Sequence, residues 1–344
     1  MPLLSESTSL DGVSVSLPEL IALRQEARCL NMTPRGKVLG TRSGGHLSRF
    51  RGRGMEFDES RVYLPGDDPR NMDWRVTARS GQPHVKLFRE ERERPVWLLV
   101  DIGSSMRFGT RVAFKSVVAA RAAALLGWAA ADKGDRVGGL IFDEARCFQR
   151  QPAVSTRGVL PLLNALVDLT AAAETPARDD RGMPHAAFDI PDSPDTESCR
   201  IPDSPQGSSL PAAARHIAPQ IRPGSLVFLL SDFAGLTEDN AAWLAQLGRS
   251  SEVVMIQVYD PLEAAAPPPG LYPATDGVRR GVLDTAATAL RAGWHRRFAE
   301  HTALLEALSQ RYRAHLVRLC TDQSIAETLT LGLGPRRLHG GAGR

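Results

Sequence analysis

The stretch that decides the fold is PVWLLVDIGSSMRF, residues 95–108, in which the apolar run Val96–Val100 leads directly into Asp101. A continuous apolar run of this length is typical of a strand whose sheet is covered by helices on both faces. Comparable runs follow at Val137–Phe142, Leu226–Leu230, Val253–Val258 and His315–Leu319. Segments with helical periodicity lie between these runs, so the sequence predicts an α/β fold with a doubly wound, mostly parallel sheet.

The helical patterns cover residues 17–30, 112–131, 157–169, 210–221, 240–247 and 292–312. They divide the chain into an N-terminal tail and helix (1–48), a charged segment with strand-like runs (49–94), a main domain (95–330) and a flexible tail (331–344). Within the main domain, residues 171–208 lose hydrophobic periodicity and repeat the pentapeptide Ile-Pro-Asp-Ser-Pro. Such a polar repeat predicts a disordered insertion in a surface loop.

The charge balance, the cysteines and the apolar stretches of the chain limit the classes of protein to which it can belong. The 42 basic and 39 acidic residues nearly cancel, which argues against a general nucleic-acid binder. The four cysteines form no CxxC pair, so we expect four free thiols in a reducing compartment. No secretory signal opens the chain, and the apolar stretch 112–131 is interrupted by Lys115 and Arg121. We therefore expect a cytoplasmic protein without an integral membrane segment.

Two predicted strands end in an aspartate, Asp101 after Val96–Val100 and Asp232 after Leu226–Leu230. In open α/β sheets, ligands gather at the carboxyl ends of the strands. Asp101, Ser105 and Asp232 would offer the carboxylate and hydroxyl oxygens that Mg²⁺ prefers. The alternative interpretation is that both aspartates only cap the loops or helices that follow.

The sequence Asp101-Ile-Gly-Ser-Ser-Met106 resembles the Asp-x-Ser-x-Ser metal-ion-dependent adhesion motif of von Willebrand factor A domains. The segments Gly52–Phe57, Arg61–Arg70 and Met72–Arg75 resemble a signature of the domain of unknown function 58 family. The resemblance extends over roughly residues 35–330. It implies a doubly wound sheet of von Willebrand factor A type with a small N-terminal mixed, partly β extension.

The same resemblance implies a MoxR-type AAA+ ATPase as the partner, and it also implies contacts with other von Willebrand factor A proteins. Such pairs are expected to act in protein maturation or in metal insertion. It also implies a Mg²⁺ site, but Gly103 replaces the first serine of the adhesion motif and removes one hydroxyl ligand. Ser208 or Ser209 would supply the hydroxyl of the family's middle motif. Asp101, Ser105 and Asp232 remain as the predicted ligands of a weakened site.

The upstream segment supports two interpretations. In the first, the role of these residues is structural, and an ion-pair network holds the segment together; its members are Arg61, Arg70, Arg75, Asp67, Asp68 and Asp73. Alternatively, Arg61, Arg70, Asp73, Trp74 and Arg75 form a recognition surface for the ATPase, because tryptophan and arginine are common anchors of interfaces.

The sequence contains no GxxxxGK[ST] phosphate loop, no HExxH pair and no Gly-x-Ser-x-Gly elbow. We therefore predict a non-enzymatic adaptor that binds its protein partner through a degenerate Mg²⁺ site. Two alternatives stay open. One is a metal-dependent phosphoester hydrolase that uses Asp101 and Asp232. The other is a metal-independent structural scaffold.

Overall fold

The structure is a computed structural model that describes residues 12–30, 55–90, 93–171, 196–199, 210–275 and 280–334. The chain divides into two compact units. The main unit comprises Met1–Val38 and Arg94–Arg344, and the small unit comprises Leu39–Glu93. Ser208 and Ser209, the repeated pentapeptide and most of the C-terminal tail lie outside the described residues.

The strands are β1 (Met55–Val62), β2 (His84–Glu90), β3 (Pro95–Asp101), β4 (Arg136–Phe142), β5 (Cys147–Val154), β6 (Thr196–Cys199), β7 (Ser225–Ser231), β8 (Ser251–Tyr259), β9 (Leu271–Thr275), β10 (Arg280–Asp284) and β11 (His315–Cys320). The helices are α1 (Leu17–Ala22), α2 (Arg24–Ala27), α3 (Trp74–Ser80), α4 (Lys115–Asp132), α5 (Thr156–Ala171), α6 (Leu210–Ile217), α7 (Ala242–Gly248), α8 (Pro261–Ala264), α9 (Thr288–Arg311) and α10 (Ile325–Leu333).

The main unit is built on a seven-stranded sheet in the order β11-β8-β7-β3-β4-β5-β6. The five strands from β11 to β4 are parallel, which confirms the predicted α/β fold and mostly parallel sheet. The sheet is mixed because β5 and β6 are antiparallel to their neighbours. Only residues 143–146 separate β4 from β5, and so short a connection allows only an antiparallel pair.

Helices cover both faces of this sheet, and side chains alternate between two cores. Val96, Leu98 and Val100 of β3 pack with α4, α5 and α10 on one face. Trp97 and Leu99 face the other side, where α6, α7 and α9 cover them. A strand that is buried on both faces must be apolar throughout, which explains why the run in residues 96–100 has no alternation.

Helix α4 is buried along most of its length, since it packs against the sheet, α2, α5 and α10. Its alanines allow this close packing of neighbouring elements. The predicted helix over residues 17–30 is instead two short helices, α1 and α2, which lie against α4. The indole N–H of Trp128 donates to the Leu20 carbonyl at 3.0 Å, and Arg24 pairs with Asp132 at 2.8 Å.

Three short elements lie where the sequence predicts loop or disorder. The proline-rich segment 261–273 contains α8, which begins at an Asp260 and Glu263 capping box, and the first strand of the β9–β10 hairpin. The predicted insertion contributes β6, which pairs with β5 at the sheet edge. These elements have few residues and little apolar periodicity, so only pairing with neighbours reveals them.

One expectation about the cysteines is wrong. Cys29 and Cys320 are free, but Cys147 is disulfide-bonded. The register of the antiparallel β5–β6 pair places Cys147 opposite Cys199. These positions are 52 residues apart in sequence, so spacing could not indicate their proximity. In the described ranges, no helix has both the length and the apolar character needed to cross a bilayer.

Gly139 of β4 lies close to the backbone of the neighbouring strand β3. A Cβ at this position would overlap the carbonyl oxygen of Leu98 on β3. We expect Gly139→Ala to lower the free energy of unfolding by about 1–3 kcal/mol, because the backbone of one strand would have to shift. Urea denaturation measures this. Gly281→Ala in β10 is the control, since its Cβ would meet nothing within 4 Å. Equal stability of the two variants would contradict the prediction.

Candidate functional site

The carboxyl ends of β3 and β7 bring the two predicted aspartates to the same edge of the sheet. The strands are adjacent and parallel, with Val100 paired to Leu230, so Asp101 and Asp232 emerge side by side. Asp101 is 5% exposed and Asp232 is 8% exposed. The hydroxyl of Ser231, the last residue of β7, donates to Asp101 Oδ2 at 2.7 Å.

Asp101 is held in a poorly solvated position. Its Oδ1 accepts the Gly103 N–H at 2.9 Å. Burial raises the pKa of Asp101 to about 7, the hydrogen bonds from Ser231 and Gly103 oppose this rise, and the negative charges of Asp232 and Glu144 add to it. Near neutral pH, this carboxyl therefore exists as a mixture of its protonated and ionised forms.

A buried lysine lies beside the second aspartate. Lys115, the first residue of α4, is 1% exposed, and its Nζ lies 2.8 Å from Asp232 Oδ2 and 2.7 Å from Glu263 Oε1. Burial by itself lowers the pKa of the Lys115 ammonium, but the attraction of the two carboxylates raises it above its ordinary value. We call these three residues the Lys115 triad. The ammonium of the triad therefore lies against Asp232, which is one of the predicted metal ligands.

Glu144 lies beside Gly103 in the loop that follows β4. A Cβ at Gly103 would lie 2.9 Å from Glu144 Oε1 and 3.1 Å from Asp101 Oδ1. Glu144 Oε1 accepts the Ser104 N–H at 2.5 Å, and Arg107 lies 3.8 Å from the other carboxylate oxygen. A serine side chain in place of Gly103 would therefore require the end of the flexible Glu144 side chain to shift.

The third predicted ligand is not brought into the site. Ser105 lies on the 3-10 turn Ser104–Met106 and is exposed. Within the described ranges, no hydrogen bond joins Ser105 to Asp101 or Asp232, and no cluster of three or more His, Cys, Asp or Glu side chains has the arrangement of a metal site.

Three charged groups of this site were not predicted from the sequence, namely Lys115, Glu144 and Glu263. The only signal for any of them was that Lys115 interrupts an otherwise apolar helix. A lysine in such a helix is buried only when partners neutralise it. Its partners lie 117 and 148 residues further along the chain, and nothing local identifies them.

The predicted partner-binding residues lie in the small unit and fall into two groups, those whose side chains are bonded within the unit and those that face solvent. Arg61 forms a two-pronged ion pair with Asp67, at 2.9 and 2.7 Å. Asp73 is buried, caps α3 by accepting the N–H groups of Arg75 and Val76, and accepts the Ser60 hydroxyl at 2.8 Å. The predicted six-residue ion-pair network is thus reduced to the Arg61–Asp67 pair among the described residues.

The other three predicted residues face solvent. Trp74, the first residue of α3, is 70% exposed, and Arg70 and Arg75 are also exposed. Val62 and Leu64 add exposed apolar surface in the same unit. The small unit therefore exposes apolar and basic side chains to solvent, whereas Arg61, Asp67 and Asp73 are bonded within the unit. We call Val62, Leu64, Arg70, Trp74 and Arg75 the Trp74 surface.

Comparison with known proteins shows relatives over most of the chain. Uncharacterized proteins of Mycobacterium bovis and of two strains of Mycobacterium tuberculosis are each 30% identical over 318 residues, which cover 90% of this chain and 88% of theirs. The family described as "Protein of unknown function DUF58" matches residues 59–304.

Two solved structures also match. One is the conserved hypothetical protein BatB from Bacteroides thetaiotaomicron, with 14% identity, a TM-score of 0.34, and coverage of 70% of this chain and 95% of that chain. The other is an aerotolerance-related membrane protein from Bacteroides fragilis, with 15% identity, a TM-score of 0.37, and coverage of 70% and 98%. Both TM-scores are too low to assign a shared fold. On its sequence relatives and on the match over residues 59–304, this chain belongs to the DUF58 family, whose function is unknown.

Proposed function

We propose that this protein is a non-enzymatic interaction adaptor that binds a MoxR-type AAA+ ATPase through the Trp74 surface. The proposed pair acts in the maturation of other proteins or in the insertion of a metal or cofactor. The observation that carries the proposal is the 70% exposure of Trp74. A large aromatic side chain in contact with water has an unfavourable solvation free energy, and tryptophan is enriched among the residues that dominate binding at protein interfaces.

The local structure supports a binding role for Trp74. The Asp73 cap fixes the first turn of α3, so the backbone that carries Trp74 is ordered before any partner arrives. A preordered anchor loses less conformational entropy on binding. Arg75, the next residue, and Arg70, which is exposed in the same unit, favour a partner surface that combines an apolar pocket with acidic side chains.

The adaptor function proposed here does not require a metal ion, because the candidate ligands that the structure describes, Asp101, Ser105 and Asp232, do not fit Mg²⁺ as arranged. The ammonium of Lys115 already lies 2.8 Å from Asp232. Asp101 accepts hydrogen bonds on both oxygens, and the exposed Ser105 makes no hydrogen bond to either aspartate. A dication at this position would have to displace a buried positive charge. This arrangement favours the metal-independent alternative over the Mg²⁺-dependent adaptor and over the hydrolase.

We also propose that the sheet is of von Willebrand factor A type.

We expect Trp74→Ala with Arg75→Ala to weaken binding to the AAA+ ATPase at least about tenfold, since loss of an aromatic anchor and a charged contact exceeds that threshold. Titration of the purified ATPase measures the affinity. Far-UV circular dichroism should stay unchanged, because neither side chain takes part in the Asp73 cap.

The matched control is Leu271→Ala, which removes an equally exposed apolar side chain from the main unit. Binding should be the same in Mg²⁺ and in chelator, and should survive Asp101→Ala. Loss of binding in chelator would contradict metal independence. Full affinity in the double variant would contradict the Trp74 surface.

Lys115→Met should lower the free energy of unfolding by about 3–5 kcal/mol, because Asp232 would become a buried carboxylate without its cation and the partly exposed Glu263 would lose its ion pair. Further substitution by Asp232→Asn and Glu263→Gln in the same chain should recover part of this loss, since the unpaired charges disappear. Chemical denaturation of the three proteins measures both effects. A single variant as stable as the parent, or a triple variant no more stable than the single one, would show that the triad is not paired as described.

The raised pKa of Asp101 predicts a pH dependence of stability. The folded carboxyl titrates near 7 and the unfolded one near 3.8, so the fold favours the protonated form, and stability is lost as pH rises between these values. Relative to Asp101→Asn, the parent should lose at most about 4 kcal/mol from acidic to neutral pH. Denaturation midpoints of both proteins across this range measure the difference.

Asp67→Asn is the control for this experiment. Its hydrogen bond with Arg61 holds the pKa of Asp67 below the ordinary value, so this carboxyl stays ionised throughout the range. The difference between parent and Asp67→Asn should therefore stay constant above about pH 5, where Asp67 is ionised in both the folded and the unfolded protein. A constant difference for Asp101→Asn as well would mean that Asp101 is not poorly solvated in the folded protein.

A further inference from the structure

A cavity of about 670 Å³ opens in the main unit at the carboxyl end of β8, where α8, α9 and β10 meet. It is lined by three aromatic side chains, Tyr259, Trp294 and Phe298, and by apolar groups that include Leu283 and Leu290. Its volume and its mostly apolar lining are those of pockets that bind small molecules.

The aromatic walls are fixed in place by neighbouring groups. The rings of Tyr259 and Phe298 pack with their centroids 5.3 Å apart. The indole N–H of Trp294 donates to the Leu262 carbonyl of α8 at 2.8 Å. Because that N–H is already bonded, Trp294 offers an occupant only its apolar ring surface. These walls suit a flat, apolar group.

One polar group in the cavity lacks a partner. Gln257 of β8 is 1% exposed, and its Oε1 has no hydrogen-bond donor within the part of the chain that the structure describes. A buried amide oxygen without a donor costs about 1–3 kcal/mol. A ligand that brings an N–H or O–H to Gln257 would remove this cost.

Charges of both signs line the cavity. The carboxylates on the cavity wall, Asp232 and Glu263, are both bonded to Lys115. Arg297 also lines the cavity, is exposed, and forms no ion pair with any described residue. Its neighbour Arg296 lies on the same helix but pairs with Glu300 at 3.9 Å. Arg297 is therefore the group that would attract an anion here.

A glycine keeps one wall of the cavity open. Gly293 lies inside α9 and lines the cavity, and a Cβ added to it would meet nothing within 4 Å. Packing therefore does not require a glycine, although glycine in a helix interior is less stable than alanine by about 1 kcal/mol. The missing side chain preserves volume beside Trp294.

We propose that this cavity binds a small aromatic molecule that carries an anionic group and a hydrogen-bond donor. The rings lie against Trp294, Tyr259 and Phe298, the anion contacts Arg297, and the donor bonds to Gln257. The proposal is independent of the adaptor function, because none of its residues belongs to the Trp74 surface.

The test uses two fluorescent probes with the full-length chain. The first, 1-anilinonaphthalene-8-sulfonate, combines fused rings, an N–H and a sulfonate. The second, N-phenyl-1-naphthylamine, has the same rings and N–H but no anionic group. We expect saturable binding of the sulfonate probe to one site per chain, and weaker binding of the neutral probe.

Three variants locate the site. Arg297→Gln should weaken binding of the sulfonate probe about tenfold and leave the neutral probe unaffected. Arg296→Gln is the matched control and should change neither affinity. Gly293→Phe should fill the cavity and weaken binding of both probes at least about tenfold. Circular dichroism and thermal melts establish that each variant is folded.

Leu290→Trp provides a second cavity-filling variant if Gly293→Phe does not fold. The proposal is overturned if a folded cavity-filling variant binds either probe as the parent does. It is also overturned if Arg296→Gln and Arg297→Gln have equal effects on the sulfonate probe, or if binding is not saturable, since each result would place the probes elsewhere on the surface.

Discussion

A lysine deprived of water keeps its charge only when carboxylates surround it, and this requirement shapes the edge of the sheet around Lys115. The residue begins α4, the most deeply buried helix of the main unit, and its ammonium joins the end of β7 to α8 through Asp232 and Glu263. Three elements that are distant in sequence therefore meet at one charge. The position of α8, which also bonds to Trp294 of α9, depends on the same contact.

Two regions of the main unit lie next to the Lys115 triad. On one side lies Asp101, buried and bonded to Ser231 and Gly103. On the other side lies the aromatic cavity, whose two carboxylates, Asp232 and Glu263, both bond to the lysine. Arg297 lines the same cavity and forms no ion pair with any described residue.

The small unit follows a different principle. Its acidic residues are used for backbone geometry, with Asp67 bonded to Arg61 and Asp73 capping α3. Short turns and caps of this kind order the backbone of a segment. Trp74, whose side chain has no part in the Asp73 cap, remains exposed to solvent.

The sequence by itself determined the parallel part of the sheet, because strands buried on both faces must be continuously apolar, as Val96–Val100 and Leu226–Leu230 are. It also placed Asp101 and Asp232 at one edge, since neighbouring parallel strands end together. Elements without such periodicity, namely β5, β6, α8 and the β9–β10 hairpin, escaped it. Tertiary structure alone decided which groups meet: Lys115 with Asp232 and Glu263, Glu144 beside Gly103, and Gln257 without a donor. These contacts join residues far apart in the chain, and the energy of a buried charge depends on its spatial neighbours, which no local pattern records.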